Sequence, residues 1–156
     1  MTPEEFTRRL SKLALRDGLT LATLATLGVN DRTVVVATIA AKFDPAAVYA
    51  EPEVNQRLKD WLASIAANVA TDHVSLRRWL VDTQVLSRTD ECTDYRLAPA
   101  ALGRLRDIAK SLDCEAIAVG VRLQDEQARV ARKAAWLQRA GEQRYGDQRP
   151  PDKDAQ

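Results

Sequence analysis

The apolar positions at the start of the chain recur with the spacing of an α-helix. Within residues 3–16 they fall at i, i+4, i+7 and i+8, which places them on one helical face. Thr2 stands where an N-cap is expected, Pro3 suits the first helical position, and Asp17-Gly18 ends the helix. The next stretch, residues 19–28, is apolar but rich in threonine and fits either an extended connector or a strand. The face of the first helix consists of Phe6, Leu10, Leu13 and Ala14.

Three more helices are predicted before residue 86. The first covers residues 33–43, with Asn30 or Asp31 as its cap, and stops at Asp44-Pro45 because a residue before proline is pushed out of the α region. The second runs from about residue 51 to 65 and has the cleanest amphipathic stripe in the chain. The third begins near Asp72 and continues to about Val85. The apolar faces are Val35, Val36, Ile39 and Phe43 in the first helix, and Val54, Leu58, Trp61, Leu62 and Ile65 in the second.

The period of the pattern changes after residue 85. Residues 86–97 place Leu86, Tyr95 and Leu97 around a polar turn, which is typical of two short strands in a hairpin. Pro99 then opens a fifth helix. Residues 116–123 alternate like a strand, yet their alanine-rich flanks suit a helix, and residues 124–139 are helical. We expect the chain from Gly141 to be frayed or disordered. The buried seam of the fifth helix is predicted to be Leu102, Leu105, Ile108 and Leu112.

Helix, helix, helix and polar hairpin is the order of elements in a winged helix-turn-helix. The predicted fold is therefore mainly α, with a winged helix-turn-helix-like core of helices and a two-stranded β-hairpin wing, flanked by N- and C-terminal helices. The predicted divisions are N-terminal helices packing on the core (1–42), the winged module (43–97), a C-terminal helical extension (98–140) and a flexible tail (141–156).

Residues 43–97 also carry a series of short motifs in a fixed order. In these motifs the segment resembles a prokaryotic family of unknown function, the one numbered 2087. The resemblance implies a winged-helix-like domain that occurs alone or attached to helix-turn-helix regulators and is taken to contact nucleic acid. It covers about a third of the chain. The motifs are Tyr49-x-Glu51-x-Glu53-Val54-Asn55, Leu58, Leu76-Arg77-Arg78-Trp79-Leu80-Val81-Asp82, Leu86-x-Arg88 and Tyr95-Arg96.

The segment departs from the family pattern at three places. Ala50 stands where a threonine or serine usually caps the helix, so a capping oxygen worth roughly 1 kcal/mol is missing. The hairpin turn has Glu91-Cys92-Thr93 in place of the expected glycine. The link between the third and fourth predicted helices of the chain, residues 63–71, is also somewhat long. These departures bear on the geometry of the hairpin and on any contact made through its tip.

Composition limits these interpretations. The 156 residues fit one domain, and 46% hydrophobic residues suffice for a core. A DNA-binding domain often has a pI above about 9, whereas the formal net charge here is +1 and the pI about 7.8. A phosphate-binding surface must therefore come from local segregation of charge. Residues 122–149 are the most basic region, which fits an ordinary solvated helix face or a phosphate-tracking arm.

The predicted recognition helix begins near Asp72 and carries adjacent arginines. In the functional interpretation its side chains reach phosphates or base edges in a major groove. In the alternative, Arg77 and Arg78 are solvated or paired with acids, and the winged fold is a protein–protein adaptor without nucleic-acid contact. We predict a DNA-binding protein acting as a transcriptional regulator. Its predicted nucleic-acid-binding residues are Ser75, Arg77, Arg78, Gln84, Arg88 and Arg96.

Catalysis is not predicted. Glu51 and Glu53, in the first turn of a helix, complement its macrodipole more readily than they form an acid–base pair. His73, the single histidine, has no nucleophile placed near it by a known motif. Cys92 has acidic neighbours that raise a thiol pKa, and Cys114 has the character of a small buried hydrophobe. No metal site and no cofactor are predicted.

The predicted partners are double-stranded DNA and a second copy of the chain. The elements after Pro99 offer more apolar surface than a 55-residue core can cover, which favours a homodimer, with Trp136 as a candidate anchor beside Ala131, Ala134 and Ala135. No apolar run approaches the 18 or more residues of a membrane span, and the first residues lack a signal-peptide pattern. A cytoplasmic protein without membrane contact is therefore expected, and no particular small-molecule effector is predicted.

Overall fold

The computed structural model describes residues 1–89, 93–98 and 103–146, with side chains as far as residue 142. The mainly helical fold predicted from the sequence is confirmed. Pro99 and Leu102, assigned above to the fifth helix, lie outside the described residues, as do Cys92 and the chain after residue 146. The elements are α1 (Pro3–Ala14), β1 (Leu19–Thr20), α2 (Leu21–Thr26), α3 (Val29–Ala40), β2 (Tyr49–Ala50), α4 (Glu51–Ala63), β3 (Val69–Ala70), α5 (His73–Asp82), β4 (Leu86–Arg88), β5 (Asp94–Leu97), α6 (Gly103–Ser111) and α7 (Cys114–Gly146).

A three-stranded antiparallel sheet packs beside α4 and α5. Its strand order is β2-β5-β4, with Tyr49 opposite Tyr95 and Leu86 opposite Leu97. The predicted hairpin at 86–97 is confirmed, whereas the short strand β2 was not predicted. The order α3, β2, α4, α5, β4, β5, with the first strand paired to the last, is the winged helix-turn-helix arrangement. We call residues 29–97 the winged module.

Helix α3 is the centre of the core. Every side chain from residue 34 to 40 is buried, because this stretch is apolar on all sides except at Thr38. Thr38 is satisfied internally, since its hydroxyl donates to the Val35 carbonyl at 2.7 Å and accepts from Trp61 Nε1 at 3.0 Å. The helix begins at Val29 after Gly28, so the predicted start at Thr33 and its caps were placed too late.

The threonine-rich stretch after α1 combines both kinds of structure. Strand β1 pairs in parallel with β3, and α2 follows at once. Thr20 caps α2: its hydroxyl accepts from the Thr23 N–H at 3.2 Å, and the Thr23 hydroxyl accepts from the Thr20 N–H at 2.6 Å. Such reciprocal capping satisfies two free donors of a helix start. A six-residue helix is too short to show the 3.6-residue period clearly, so the pattern left it unassigned.

Helix α4 keeps half of its cap although Ala50 has no capping oxygen. The Glu53 carboxylate accepts the Ala50 N–H at 2.9 Å. In addition, Pro52 and the two first-turn glutamates suit a helix start. Glu53 therefore takes part in the cap of α4, and both glutamates lie in the first turn of the helix.

The chain divides into two compact units, Met1–Arg122 and Leu123–Gln156. Residues 116–123, which were ambiguous, are helical and belong to α7. In the first unit, the Arg122 guanidinium donates to the carbonyl oxygens of Ile65, at 3.0 Å, and Ser64. The second unit is helical to Gly146, beyond the predicted fraying point at Gly141. The four-part division stays a prediction.

Candidate nucleic-acid interface

Helix α5 begins with a strong cap. The Asp72 carboxylate accepts the Val74 and Ser75 N–H groups at 2.8 and 2.9 Å and the Ser75 hydroxyl at 2.7 Å. The Ser75 N–H and then its hydroxyl hold the pKa of Asp72 below its usual value, because both stabilise the carboxylate. Ser75 is therefore half-buried and committed to the cap, while His73 occupies the first turn as predicted.

Arg77 points into the protein. Its side chain is only 11% exposed, and its Nη1 lies 2.9 Å from the Glu51 carboxylate and donates to the Asn55 amide oxygen. The guanidinium carbon also lies 5.6 Å from the centroid of the Tyr95 ring, a cation–π contact. Arg77 thus connects α5 to α4 and to strand β5 from within. Glu51 and Asn55 belong to one of the motifs on which the family resemblance rests, and both contact Arg77, which belongs to another of them.

Arg78 and Arg88 lie next to Arg77 but are exposed. A cavity of about 210 Å³ opens between α5 and the hairpin, and it is lined by Arg77, Arg78, Val81, Asp82, Arg88 and Tyr95. Arg88 faces this cavity because it pairs with Tyr95 in the β4–β5 register, and paired residues lie on the same face of a sheet. Its guanidinium carbon is 5.9 Å from the Tyr95 ring centroid. We call this cavity the arginine cleft.

The arginine cleft can hold an anion. Three guanidinium groups line it against one carboxylate, and guanidinium forks match the oxygen geometry of phosphate and carboxylate groups. The Glu51 carboxylate neutralises Arg77 from outside the lining, whereas Arg78 is exposed and offers its positive charge to solvent beside the cleft. A phosphate group is a suitable occupant.

The other predicted contact residues lie elsewhere. Arg96 is exposed and pairs with Ser87 in the hairpin, one position from Tyr95, so it lies on the opposite face from the cleft. Gln84 is exposed just after α5 with a φ of 58°. The structure therefore brings Arg77, Arg78 and Arg88 together, and it leaves Ser75, Gln84 and Arg96 outside the lining of the cleft.

Sequence reasoning missed Tyr95, Asp82 and Val81 as members of this site. Tyr95 was assigned only to the apolar side of the hairpin. Counting back from the turn would have set Arg88 against Tyr95, but the register of a hairpin depends on its turn geometry. Beyond Arg88 one further hydrogen bond joins the two sides of the wing: the Thr89 N–H donates to the Asp94 carbonyl at 2.9 Å.

A second cavity carries no comparable chemistry. It measures about 230 Å³ and has Lys42, Lys110, Asp113 and Glu115 around Cys114. Cys114 is buried as expected, and burial raises the pKa of its thiol to about 11, so it is protonated near neutral pH. Across residues 1–89, 93–98 and 103–146, no group of three histidine, cysteine or acidic side chains could hold a metal ion.

The topology defines a winged-helix module, and comparison with protein families agrees on its extent. Residues 29–97 match the family described as "Uncharacterized protein conserved in bacteria (DUF2087)". The match runs from the first residue of α3 to the last residue of β5, so it confirms the resemblance and extends it to Val29. Neither the curated proteins nor the solved structures contain a match to the chain. None of the helices in the described residues has the length and apolar character needed to cross a bilayer.

Proposed function

We propose that the winged module binds double-stranded DNA and that the protein acts as a transcriptional regulator. Helix α5 is the proposed recognition helix, and the β4–β5 wing lies against the neighbouring sugar-phosphate backbone of the DNA. The observation that carries the proposal is the arginine cleft, which lies between the recognition helix and the wing. In winged helix-turn-helix proteins these two elements are the ones that approach the duplex.

The three arginines of the cleft have different proposed roles. Arg78 and Arg88 are exposed, and they contact backbone phosphates. Arg77 is bound to Glu51 and Asn55 of α4. It therefore holds α5 in position and forms the inner part of the cleft lining, and it does not reach the DNA. Phosphate contacts of this kind set the register of a protein on duplex DNA but carry no sequence information.

The three other predicted contact residues lie at different places around the recognition helix and the wing. Ser75, at the start of α5, can reach a base or a phosphate only by giving up its bond to Asp72. Arg96 extends from the far face of the hairpin, and Gln84 follows the end of α5. We therefore expect single alanine variants at these three positions to weaken DNA binding less than variants at Arg78 or Arg88.

A salt series with a fluorescently labelled random duplex tests the proposal. Wild-type protein should bind at about 50 mM salt, where non-specific contacts are strong, and lose affinity steadily as salt rises. The double variant Arg78→Ala/Arg88→Ala removes two phosphate contacts, so it should bind more weakly and flatten the slope of log K against log salt by about 1 to 2. Thermal unfolding should barely change, because both side chains are exposed.

Arg104→Ala is the matched control. It removes one exposed arginine from α6, outside the winged module, and should leave both the affinity and the slope unchanged. Failure of wild-type protein to shift random duplex DNA at about 50 mM salt would remove the DNA-binding proposal. An equal effect of Arg104→Ala would instead indicate diffuse charge attraction without a defined site.

The alternative function is a protein–protein adaptor. Asp82 in the cleft lining and Glu51 beside Arg77 favour it, because they offset much of the local positive charge. An adaptor would use Arg78 and Arg88 to bind an acidic segment of another protein. It predicts no salt-dependent DNA binding, together with loss of a protein partner in the same double variant.

A further inference from the structure

The described part of the second unit, residues 123–146, is a single helix, and its side chains as far as residue 142 are almost all exposed. From residue 123 to 142 no side chain is buried. Three large apolar side chains recur here at seven-residue intervals: Leu123, Val130 and Leu137 are 58%, 59% and 53% exposed. Because seven residues make almost two helical turns, these three side chains form one stripe along the helix. We call them the heptad stripe.

A seven-residue apolar repeat is the pattern by which one helix packs along another. An isolated helix gains little stability in water, since most helical stability in proteins comes from packing of an apolar face. Ala134 lies beside the stripe and is small enough to let a second helix approach closely. The required partner is therefore a helix with a matching apolar repeat, and the chain itself supplies one.

The charges beside the stripe select the orientation of that partner. Glu126 and Lys133 are also seven residues apart, so both flank the stripe on one side. When two copies run in opposite directions about a two-fold axis near Val130, Leu123 faces the partner's Leu137. The same axis sets Glu126 level with the partner's Lys133 and, by symmetry, Lys133 level with the partner's Glu126. In a parallel pair the two-fold axis runs along the helices, so the flank that carries Glu126 and Lys133 would face the opposite flank of the partner, and neither attractive pair could form.

We propose that residues 123–142 form an antiparallel two-helix interface with a second copy of this chain, centred on Val130 and aligned by Glu126 and Lys133. The interface is isologous, since each copy contributes the same stripe. It is independent of DNA binding, because none of its residues belongs to the arginine cleft.

Sedimentation equilibrium of the full chain measures this association directly. The wild type should shift from the 17.3 kDa monomer toward twice that mass at tens of micromolar. Val130→Glu places two like charges together at the two-fold axis and should weaken dimerisation at least about 100-fold. A wild type that stays monomeric at about 100 µM, or a Val130→Glu variant that dimerises normally, overturns the proposal.

Charge exchange tests the antiparallel alignment. Glu126→Lys and Lys133→Glu each turn two attractive pairs into repulsive ones, so each should weaken the dimer about tenfold at low salt. The combined E126K/K133E variant restores both pairs with their signs reversed and should recover near wild-type affinity. Single variants without effect, or a double variant that remains weak, would rule out this alignment.

Trp136→Ala is the matched control for loss of apolar surface. Trp136 is 63% exposed and lies on the same helix, but it precedes Leu137 by one residue, which turns its side chain by about 100° away from the stripe. Its removal should leave the dimer constant within about twofold. A loss as large as that of Val130→Glu would move the interface to the tryptophan side and contradict the proposal. Circular dichroism of each variant at a monomeric concentration checks that the first unit stays folded.

Discussion

Helix α3 and residues 123–142 of α7 are both regular helices, but their surroundings are opposite. In α3 every side chain from residue 34 to 40 is buried, whereas none is buried in the second stretch. The first sequence is apolar on every face apart from Thr38, and the second has one narrow apolar stripe among charged residues and alanines. A helix that is apolar on all sides has to be enclosed, and a helix with a narrow stripe needs only one neighbour.

The comparison shows that helical pattern and burial are separate predictions. Alanine has the highest intrinsic helix propensity, and five alanines between residues 128 and 140 support the helix without any core. In α3 the β-branched residues have lower propensity, so packing must supply the stability. Removing a side chain from each helix should therefore have very different effects on the free energy of unfolding.

The largest expected effect is in α3. Ile39→Ala opens a cavity at a fully buried position and should lower the free energy of unfolding by about 3 kcal/mol. Leu137→Ala, which truncates an exposed side chain, should change it by less than about 0.5 kcal/mol at concentrations where the chain is monomeric. Urea unfolding of both variants measures the difference. Similar losses would contradict the contrast between the two helices.

The same contrast occurs between adjacent arginines of α5. Arg77→Met removes the contacts with Glu51 and Asn55 and should destabilise the protein by about 2 kcal/mol, because their polar groups lose a charged partner. Arg78→Met should stay within about 0.5 kcal/mol, since Arg78 is exposed. Thermal unfolding of both variants gives the comparison. An equally tolerated Arg77→Met would show that the buried network adds little.

Much of the fold could be predicted from the sequence, because long amphipathic helices and the change of period at Leu86 are local signals. The elements that were missed or left open depend on distant partners: β1 pairs with β3, and β2 pairs with β5. Two-residue strands have no period of their own. The place of each residue in the candidate site was still harder to predict. Arg77 and Arg78 are the same residue type at adjacent positions, and only the packing of α4 against α5 makes one buried and the other exposed.

A smaller effect is expected for the single buried hydroxyl of α3. Thr38→Val keeps the shape of the side chain but leaves the Trp61 indole N–H without its acceptor in a buried position. An unsatisfied buried donor costs roughly 1 to 2 kcal/mol, so the variant should lose that much on chemical denaturation. Thr33→Val, in the exposed first turns of the same helix, is the control and should lose less. If both variants lose the same amount, the indole contact is not the cause.

The smallest expected effect comes from the left-handed backbone conformation at the end of α5. Gln84 adopts a φ of 58°, and two hydrogen bonds close the turn around it: its N–H donates to the Val81 carbonyl at 3.0 Å, and the Val85 N–H donates to the Leu80 carbonyl at 2.8 Å. This is a Schellman motif, whose left-handed position is usually glycine because a Cβ is disfavoured there. Gln84→Gly should therefore raise the free energy of unfolding by about 0.5 to 1 kcal/mol, and Gln84→Ala should not. Since both variants remove the amide side chain, a direct contact of Gln84 with DNA predicts an equal loss of affinity in both, whereas a purely structural role predicts no loss in either.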